Sequence, residues 1–113
     1  MANMEDVMEI LENQKNKYTH ESVVRYFKDW NKKLQYHFTD TDEYYVLELK
    51  NGQPQPLFKE KLDDPDIMYS MSTDTFVQLN RGEISGLKAY QRKLLKIKAT
   101  MPEIMKLQKL DKL

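Results

Sequence analysis

The sequence contains no cysteine and little that could serve catalysis or metal binding. Without cysteine there is no disulfide framework, thiolate metal site or cysteine nucleophile, and the chain suits a reducing, cytoplasmic compartment. The only two histidines, His20 and His37, have no second ligand at metal-binding spacing. Serine-hydrolase and phosphate-loop patterns are also missing. We therefore expect a protein that is not an enzyme and uses neither a metal nor a cofactor.

Long hydrophobic runs are missing too. The longest apolar run has four residues, Tyr44 to Leu47, and the mean hydropathy is −0.79, so no membrane span is expected. Residues 1–11 carry no Lys or Arg and do not resemble a secretory signal. With 113 residues, 40% of them hydrophobic and 32% charged, the chain is typical of one globular domain over residues 1–113.

The charge sums to zero but is unevenly distributed. Residues 1–85 contain 10 basic and 16 acidic side chains, whereas residues 86–113 contain 8 basic and 2 acidic ones. Such asymmetry indicates an anionic partner, either nucleic acid or a membrane surface, unless the two halves pair with each other in space. Nucleic acid is disfavoured, because the lysines lie beside apolar residues rather than along stacking aromatic residues.

The apolar spacing predicts both helices and strands. Period 3.6 predicts helices over residues 3–15, 21–31 and 73–81, a short helix or turn over 84–91, and a last helix from Met101 that follows the capping box Thr100-x-x-Glu103. Alternation predicts strands over residues 34–39, 45–49, 57–61, 67–71 and 92–98, with a tight turn at Asn51-Gly52. Helices segregated from strands predict an α+β fold, with a five-stranded, mostly antiparallel sheet covered by helices on one face.

The last predicted helix is more apolar than its packing on one sheet requires. Its apolar residues span about 220° at 100° per residue, against a little over 100° for a helix that covers one core. The excess indicates a second apolar contact: a partner, a bound lipid or a membrane. Seven methionines fit such an adaptable surface, but they also fit ordinary core gap-filling. A row formed by Lys106, Lys109 and Lys112 flanks the arc and predicts docking on an anionic membrane, unless these lysines pair with the acidic half or are merely solvated.

From residue 43 onward the sequence resembles the sterol-carrier-protein (type two) lipid-transfer family. The resemblance rests on Tyr45-Val-Leu-Glu-Leu-Lys-Asn-Gly52, on Pro65-Asp-Ile-Met-Tyr-Ser-Met-Ser-Thr-Asp-Thr-Phe76, and on Leu94-Leu-Lys-Ile-Lys98. Their order and spacing are more specific than any single piece. The family often has glycine where this chain has Lys93.

The resemblance implies an apolar tunnel between the helices and the sheet, in which an acyl chain, a fatty acyl-CoA or a sterol binds and is transferred without catalysis. The residues that would line it, carried over by position, are Trp30, Leu47, Leu49, Phe76, Leu79, Tyr90, Met101, Ile104 and Met105. The alternative is an interaction module of the same fold, whose cavity is closed and whose apolar helix forms a homodimer or docks on an enzyme.

Overall fold

The structure, a computed structural model, describes the backbone of residues 1–113 and the side chains of all of them except Lys112. The described chain is α+β, as predicted. Its helices are α1 (Met4–Lys17), α2 (Val24–Phe27), α3 (Thr73–Asn80), α4 (Gly86–Gln91) and α5 (Met101–Leu107), and a 3₁₀ helix over Gln108–Lys112 follows α5. Its strands are β1 (Lys32–Phe38), β2 (Glu43–Lys50), β3 (Gln53–Pro54), β4 (Phe58–Lys59), β5 (Ile67–Met71) and β6 (Leu95–Lys98).

The strands form a single mixed sheet in the order β3-β2-β1-β5-β6, and β4 also pairs with β2. All neighbouring strands are antiparallel except β1 and β5, which run parallel from the pair Leu34 and Ile67 to the pair Phe38 and Met71. The predicted, mostly antiparallel sheet is therefore confirmed, with one parallel pair at its centre, but it contains six strands rather than five because residues 53–59 form two short strands. This register puts alternate residues of β1 and β5 on one buried inner face, which the helices cover.

Two helices begin at side-chain caps, and the predicted capping box at Thr100 is confirmed. Ser72 Oγ accepts a hydrogen bond from the backbone N–H of Thr75 at 3.1 Å and caps α3. Thr100 caps α5 through a capping box in which both reciprocal hydrogen bonds with Glu103 are formed. These caps satisfy backbone N–H groups that have no partner within the helix.

Three predicted element boundaries are wrong. The helix predicted over 21–31 is α-helical only over Val24–Phe27, because Val23 bonds back to His20 in a turn that is not yet α-helical. The strand predicted over 57–61 pairs only at Phe58–Lys59, and a separate two-residue strand precedes it. Prolines 54 and 56 lack the N–H that a longer ladder needs. The strand predicted over 92–98 begins at Leu95, because residues 92–94 close α4.

The predicted Asn51-Gly52 turn is confirmed, and it also positions α2. Both residues have positive φ, 51° and 77°. The N–H of Gly52 donates to the carbonyl of Trp30 at 2.9 Å, and a Cβ at Gly52 would lie 2.4 Å from the carbonyl oxygen of Phe27. Glycine is therefore required here both by backbone conformation and by space, and the turn holds the end of α2 against the sheet.

Candidate functional site

The inner face of the sheet carries a layer of aromatic rings beneath the helices. Tyr36 of β1 and Tyr69 of β5 are register partners, and their rings stack with centroids 5.1 Å apart. Phe76 of α3 packs edge-on against Tyr36 at 5.8 Å and against Phe38 at 5.2 Å. Since aromatic rings contribute large apolar areas, this layer forms a broad apolar surface between the sheet and the helices.

Three phenolic side chains belong to this layer. Tyr18, which follows α1, is 1% exposed and packs edge-on against Phe27 at 5.0 Å. Burial raises the pKa of Tyr18 well above its usual value, and the neighbouring phenols of Tyr36 and Tyr69 raise it further. Burial likewise raises the pKa of Tyr36 and of Tyr69. The three hydroxyls therefore stay neutral at physiological pH and offer hydrogen-bonding groups within apolar surroundings.

The helix α5 is held over the sheet by a nearly buried carboxylate. Glu103, 8% exposed, forms an ion pair with Lys32 at the start of β1, with 2.9 Å between Oε2 and Nζ. Its other oxygen accepts the backbone N–H of Thr100 at 2.8 Å. Burial opposes ionisation of Glu103, but the hydrogen bonds from Thr100 and Lys32 outweigh it, and the pKa lies below its usual value. This contact joins the beginning of α5 to the beginning of β1.

The lysines predicted to dock on a membrane are engaged elsewhere. The Nζ atom of Lys106 lies 5.6 Å from the ring centroid of Trp30, and that of Lys109 lies 4.2 Å from the ring centroid of Tyr26. Both lysines are half-buried in these cation–π contacts. Lys112, the third member of the predicted row, has a side chain outside the described residues. Lys106 and Lys109 thus contact aromatic rings, and the role of the row in membrane docking stays a prediction.

The nine predicted ligand-lining residues fall into three groups. Trp30, Leu47, Leu49 and Phe76 are buried, at 6% exposure or less, Leu79 and Ile104 are half-buried, and Tyr90, Met101 and Met105 are 60%, 67% and 63% exposed. The first two groups belong to the helix–sheet interior or border it. The third lies on the outer surface, contrary to the inward orientation that was expected.

Met101 and Met105 face outward because the opposite side of α5 is the buried one. The side chains of Glu103, Leu107 and Leu110 point towards the sheet, at 8% exposure or less. At about 100° per residue, Met101 and Met105 lie on the opposite side of the helix. Tyr90 is exposed because, over the described residues, α4 turns Ala89 rather than Tyr90 towards the interior. The phenols of Tyr18, Tyr36 and Tyr69 were not predicted as site residues; alternation along β1 and β5 is the signal that could have indicated Tyr36 and Tyr69.

Two surface hollows lie outside this interior. One, of about 540 Å³, is lined by Gln78, Gly82, Glu83, Ile84, Ser85, Lys88 and Arg92. The other, of about 510 Å³, is lined by Asn31, Lys32, Lys33, Glu48, Leu49, Lys50, Asn51 and Asp66. Most of the residues around each hollow are polar or charged, and both hollows open on the outer surface, so neither matches the predicted apolar tunnel, which stays a prediction.

Metal-binding and membrane-spanning features were searched over the described residues. These residues include no group of three or more His, Asp or Glu side chains arranged to hold a metal ion. His37 instead pairs with Asp42, with 2.9 Å between Nε2 and Oδ1. Within the same described part of the chain, every helix is too short or too polar to cross a bilayer.

Comparisons with known proteins agree on one family. A model of the SCP-2 sterol transfer family matches residues 8–112. The solution structure of sterol carrier protein domain 2 of Helicoverpa armigera is 22% identical with a TM-score of 0.68, and the match covers 95% of this chain and 84% of that one. At this identity the structural likeness concerns the fold.

Two longer proteins contain a similar segment. Hydroxysteroid dehydrogenase-like protein 2 of Bos taurus is 36% identical over 66 residues, which are 58% of this chain and 16% of that protein. The sec-alkylsulfatase Pisa1 of Pseudomonas sp. is 16% identical with a TM-score of 0.58, over 70% of this chain and 12% of that one. The present chain thus spans a small fraction of both proteins.

Proposed function

Because this chain belongs to the SCP-2 sterol transfer family, we propose that it binds a hydrophobic ligand and transfers it between membranes or enzymes without catalysis. Lipid binding in general follows from the family. The proposed ligand is a fatty acid, an acyl-CoA or a sterol-like lipid, held between the helices and the inner face of the sheet. The absence of cysteine is compatible with action in the cytoplasm.

The observation that supports this site most strongly is the aromatic layer with its enclosed phenols. The stacked rings of Tyr36 and Tyr69, 5.1 Å apart, would contact the hydrocarbon part of a lipid. The neutral hydroxyls of Tyr18, Tyr36 and Tyr69 would bond the hydroxyl or carboxylic acid at its polar end. A ligand reaches this layer only if α5 moves, since Leu107 and Leu110 lie over the core at 8% and 5% exposure.

Adjacent residues of α5 offer a matched test of the site. Ile104 is half-buried and Met105 is 63% exposed, so Ile104→Asp places a charge at the interior whereas Met105→Asp places the same charge in water. With a fluorescent fatty acid as the probe, Ile104→Asp should weaken binding at least tenfold and Met105→Asp less than twofold. Circular dichroism checks that both variants fold. Equal effects of the two substitutions would reject the interior site.

Acyl-chain length provides a second readout. Each buried CH₂ contributes about 0.8 kcal/mol, so two added methylenes should tighten binding roughly tenfold until the interior is filled. Saturated fatty acids of increasing length would compete with the fluorescent probe accordingly. An affinity that does not vary with chain length would contradict apolar burial as the source of binding.

A second candidate function is a non-catalytic interaction or dimerisation module without a stable lipid ligand. Two observations favour it: the helix–sheet interior is filled by one cluster of buried hydrophobic side chains, and a similar segment occurs inside longer proteins. Native mass spectrometry after gentle purification separates the two functions. A co-purifying acyl species supports the carrier, and a ligand-free homodimer supports the module.

A further inference from the structure

One segment of the chain contains basic residues but no acidic residue. Between Glu83 and Glu103 there are five basic residues and no Asp or Glu. Glu103 itself is buried and engaged by Lys32. The segment contains α4, the turn after it and the edge strand β6, so these cations lie on consecutive elements at one edge of the sheet.

The charge asymmetry of the two halves is not removed by pairing. Lys98 forms an ion pair with Asp64 at 3.3 Å. Within the described residues, Lys88, Arg92, Lys93 and Lys96 are exposed and have no carboxylate within 4 Å, although Glu83 borders the hollow that Lys88 and Arg92 also line. Four cations are therefore available to an external anion.

Exposed apolar side chains stand among these cations. The helix α4 buries Ala89 but leaves Leu87 at 67% and Tyr90 at 60% exposure, and Leu94 follows at 42%. Contact of three large apolar side chains with water within eight residues is energetically unfavourable. Such exposed apolar groups commonly mark an interaction surface.

The turn after α4 holds this arrangement rigid. The N–H of Leu94 donates to the carbonyl of Ala89 at 2.9 Å, and the N–H of Lys93 donates to the carbonyl of Tyr90 at 3.1 Å. These are the two hydrogen bonds of a Schellman motif, in which the left-handed position usually belongs to glycine. Here Lys93 occupies it with φ 61°. The chain thus keeps a cation at a position where backbone conformation favours glycine.

We infer that the basic–apolar surface, formed by Leu87, Tyr90 and Leu94 together with Lys88, Arg92, Lys93 and Lys96, docks the protein on an anionic lipid bilayer. The cations attract lipid phosphates and carboxylates, and the apolar side chains enter the interface. This inference rests on the proposed transfer function, which requires contact with a donor or acceptor membrane.

A bilayer fits this surface better than other anionic or apolar partners. A second copy of the chain would bring the same cations together and be repelled. Single-stranded nucleic acid is bound on rows of stacking aromatic rings, whereas two of the three apolar side chains here are leucines. Exposed Glu5, Asp6, Glu9 and Glu12 make the surface of α1 acidic, which disfavours α1 as a docking face on an anionic bilayer.

The test is flotation of the full chain with vesicles of phosphatidylcholine alone and with about one-third phosphatidylserine, at about 50 and about 500 mM salt. The double variant Lys93→Gln/Lys96→Gln should lose roughly 20-fold in binding to the anionic vesicles, about fivefold per lysine. Leu87→Ser/Leu94→Ser should also weaken binding. The matched control Lys106→Gln/Lys109→Gln removes two lysines that already contact aromatic rings, and it should change binding less than threefold.

Equal losses in the two lysine variants, or equal binding to neutral and anionic vesicles, would overturn the inference. So would a homodimer in analytical ultracentrifugation that Leu87→Ser/Leu94→Ser dissociates, or oligonucleotide binding that the Lys93→Gln/Lys96→Gln variant loses while vesicle binding persists. Cargo binding is measured separately with the fluorescent fatty acid. If the fatty acid does not bind but the protein still docks on vesicles, the proposed function alone is refuted. If the fatty acid binds but the protein does not dock on vesicles, the docking surface alone is refuted.

Discussion

Replacement of Glu103 by glutamine should loosen α5 without removing its cap. A glutamine at this position still accepts the backbone N–H of Thr100, as in capping boxes generally, but it carries no charge for Lys32. The Glu103 side chain is 11% exposed and that of Lys32 is 31% exposed. Lys32 keeps part of its hydration, so the cost should fall below that of breaking a fully buried pair, at about 1–2 kcal/mol.

The pH dependence separates this ion pair from a packing effect. The pKa of Glu103 is lower in the folded protein than in the unfolded chain, where it is about 4.3. The ionised group therefore stabilises the fold above that value, and its contribution is lost as the pH falls through the lower, folded pKa. The difference in free energy of unfolding between wild type and Glu103→Gln should be full at pH 7 and vanish in acid.

Urea unfolding at pH 7 and at a series of decreasing pH values below the unfolded pKa measures this difference, and a cycle with Lys32→Met measures the coupling between the two side chains. Dissociation of a bound fatty acid should also be faster in Glu103→Gln, because α5 covers the interior. Glu43→Gln, which breaks the more exposed pair of Glu43 with Lys59 at 2.7 Å, is the control that should leave dissociation unchanged. A stability difference that persists unchanged in acid, or zero coupling with Lys32, would refute this account of α5.

Three further predictions concern stability and ligand choice. Gly52→Ala should destabilise the fold by about 2 kcal/mol or more in urea unfolding, because its Cβ would meet the Phe27 carbonyl at 2.4 Å; an unchanged midpoint would contradict the close contact. Lys93→Gly should stabilise it by about 0.5–1 kcal/mol, since φ 61° strains a lysine; a loss of stability would be the contrary result. Tyr69→Phe should weaken binding of a fatty acid several-fold more than that of the matching alkane, and equal losses would exclude the phenol from polar recognition.

Features set by local sequence could be predicted, and features that need a distant partner were predicted less well. The cap of α5 and the Asn51-Gly52 turn depend on residues within four positions of one another, and both are confirmed. Strand ends depend on where the ladder to the neighbouring strand forms, and the predicted strand over 57–61 pairs with β2 only at Phe58–Lys59. The parallel pairing of β1 with β5 joins residues about thirty positions apart, a contact that alternation alone does not specify.

The orientation of α5 shows the same limit within the candidate site. Its wide apolar arc allowed either the methionines or Leu107 and Leu110 to face the sheet, because both sets lie on one continuous stripe. Glu103 lies on the same side of the helix as Leu107 and Leu110; its cap role is local, but its ion pair with Lys32 joins residues 71 positions apart. In this orientation Leu107 and Leu110 are buried, and the nearly buried carboxylate of Glu103 keeps the partner that it needs, Lys32. Met101 and Met105 then face water, which is why the excess of the arc that first indicated a second apolar contact lies on the outer surface.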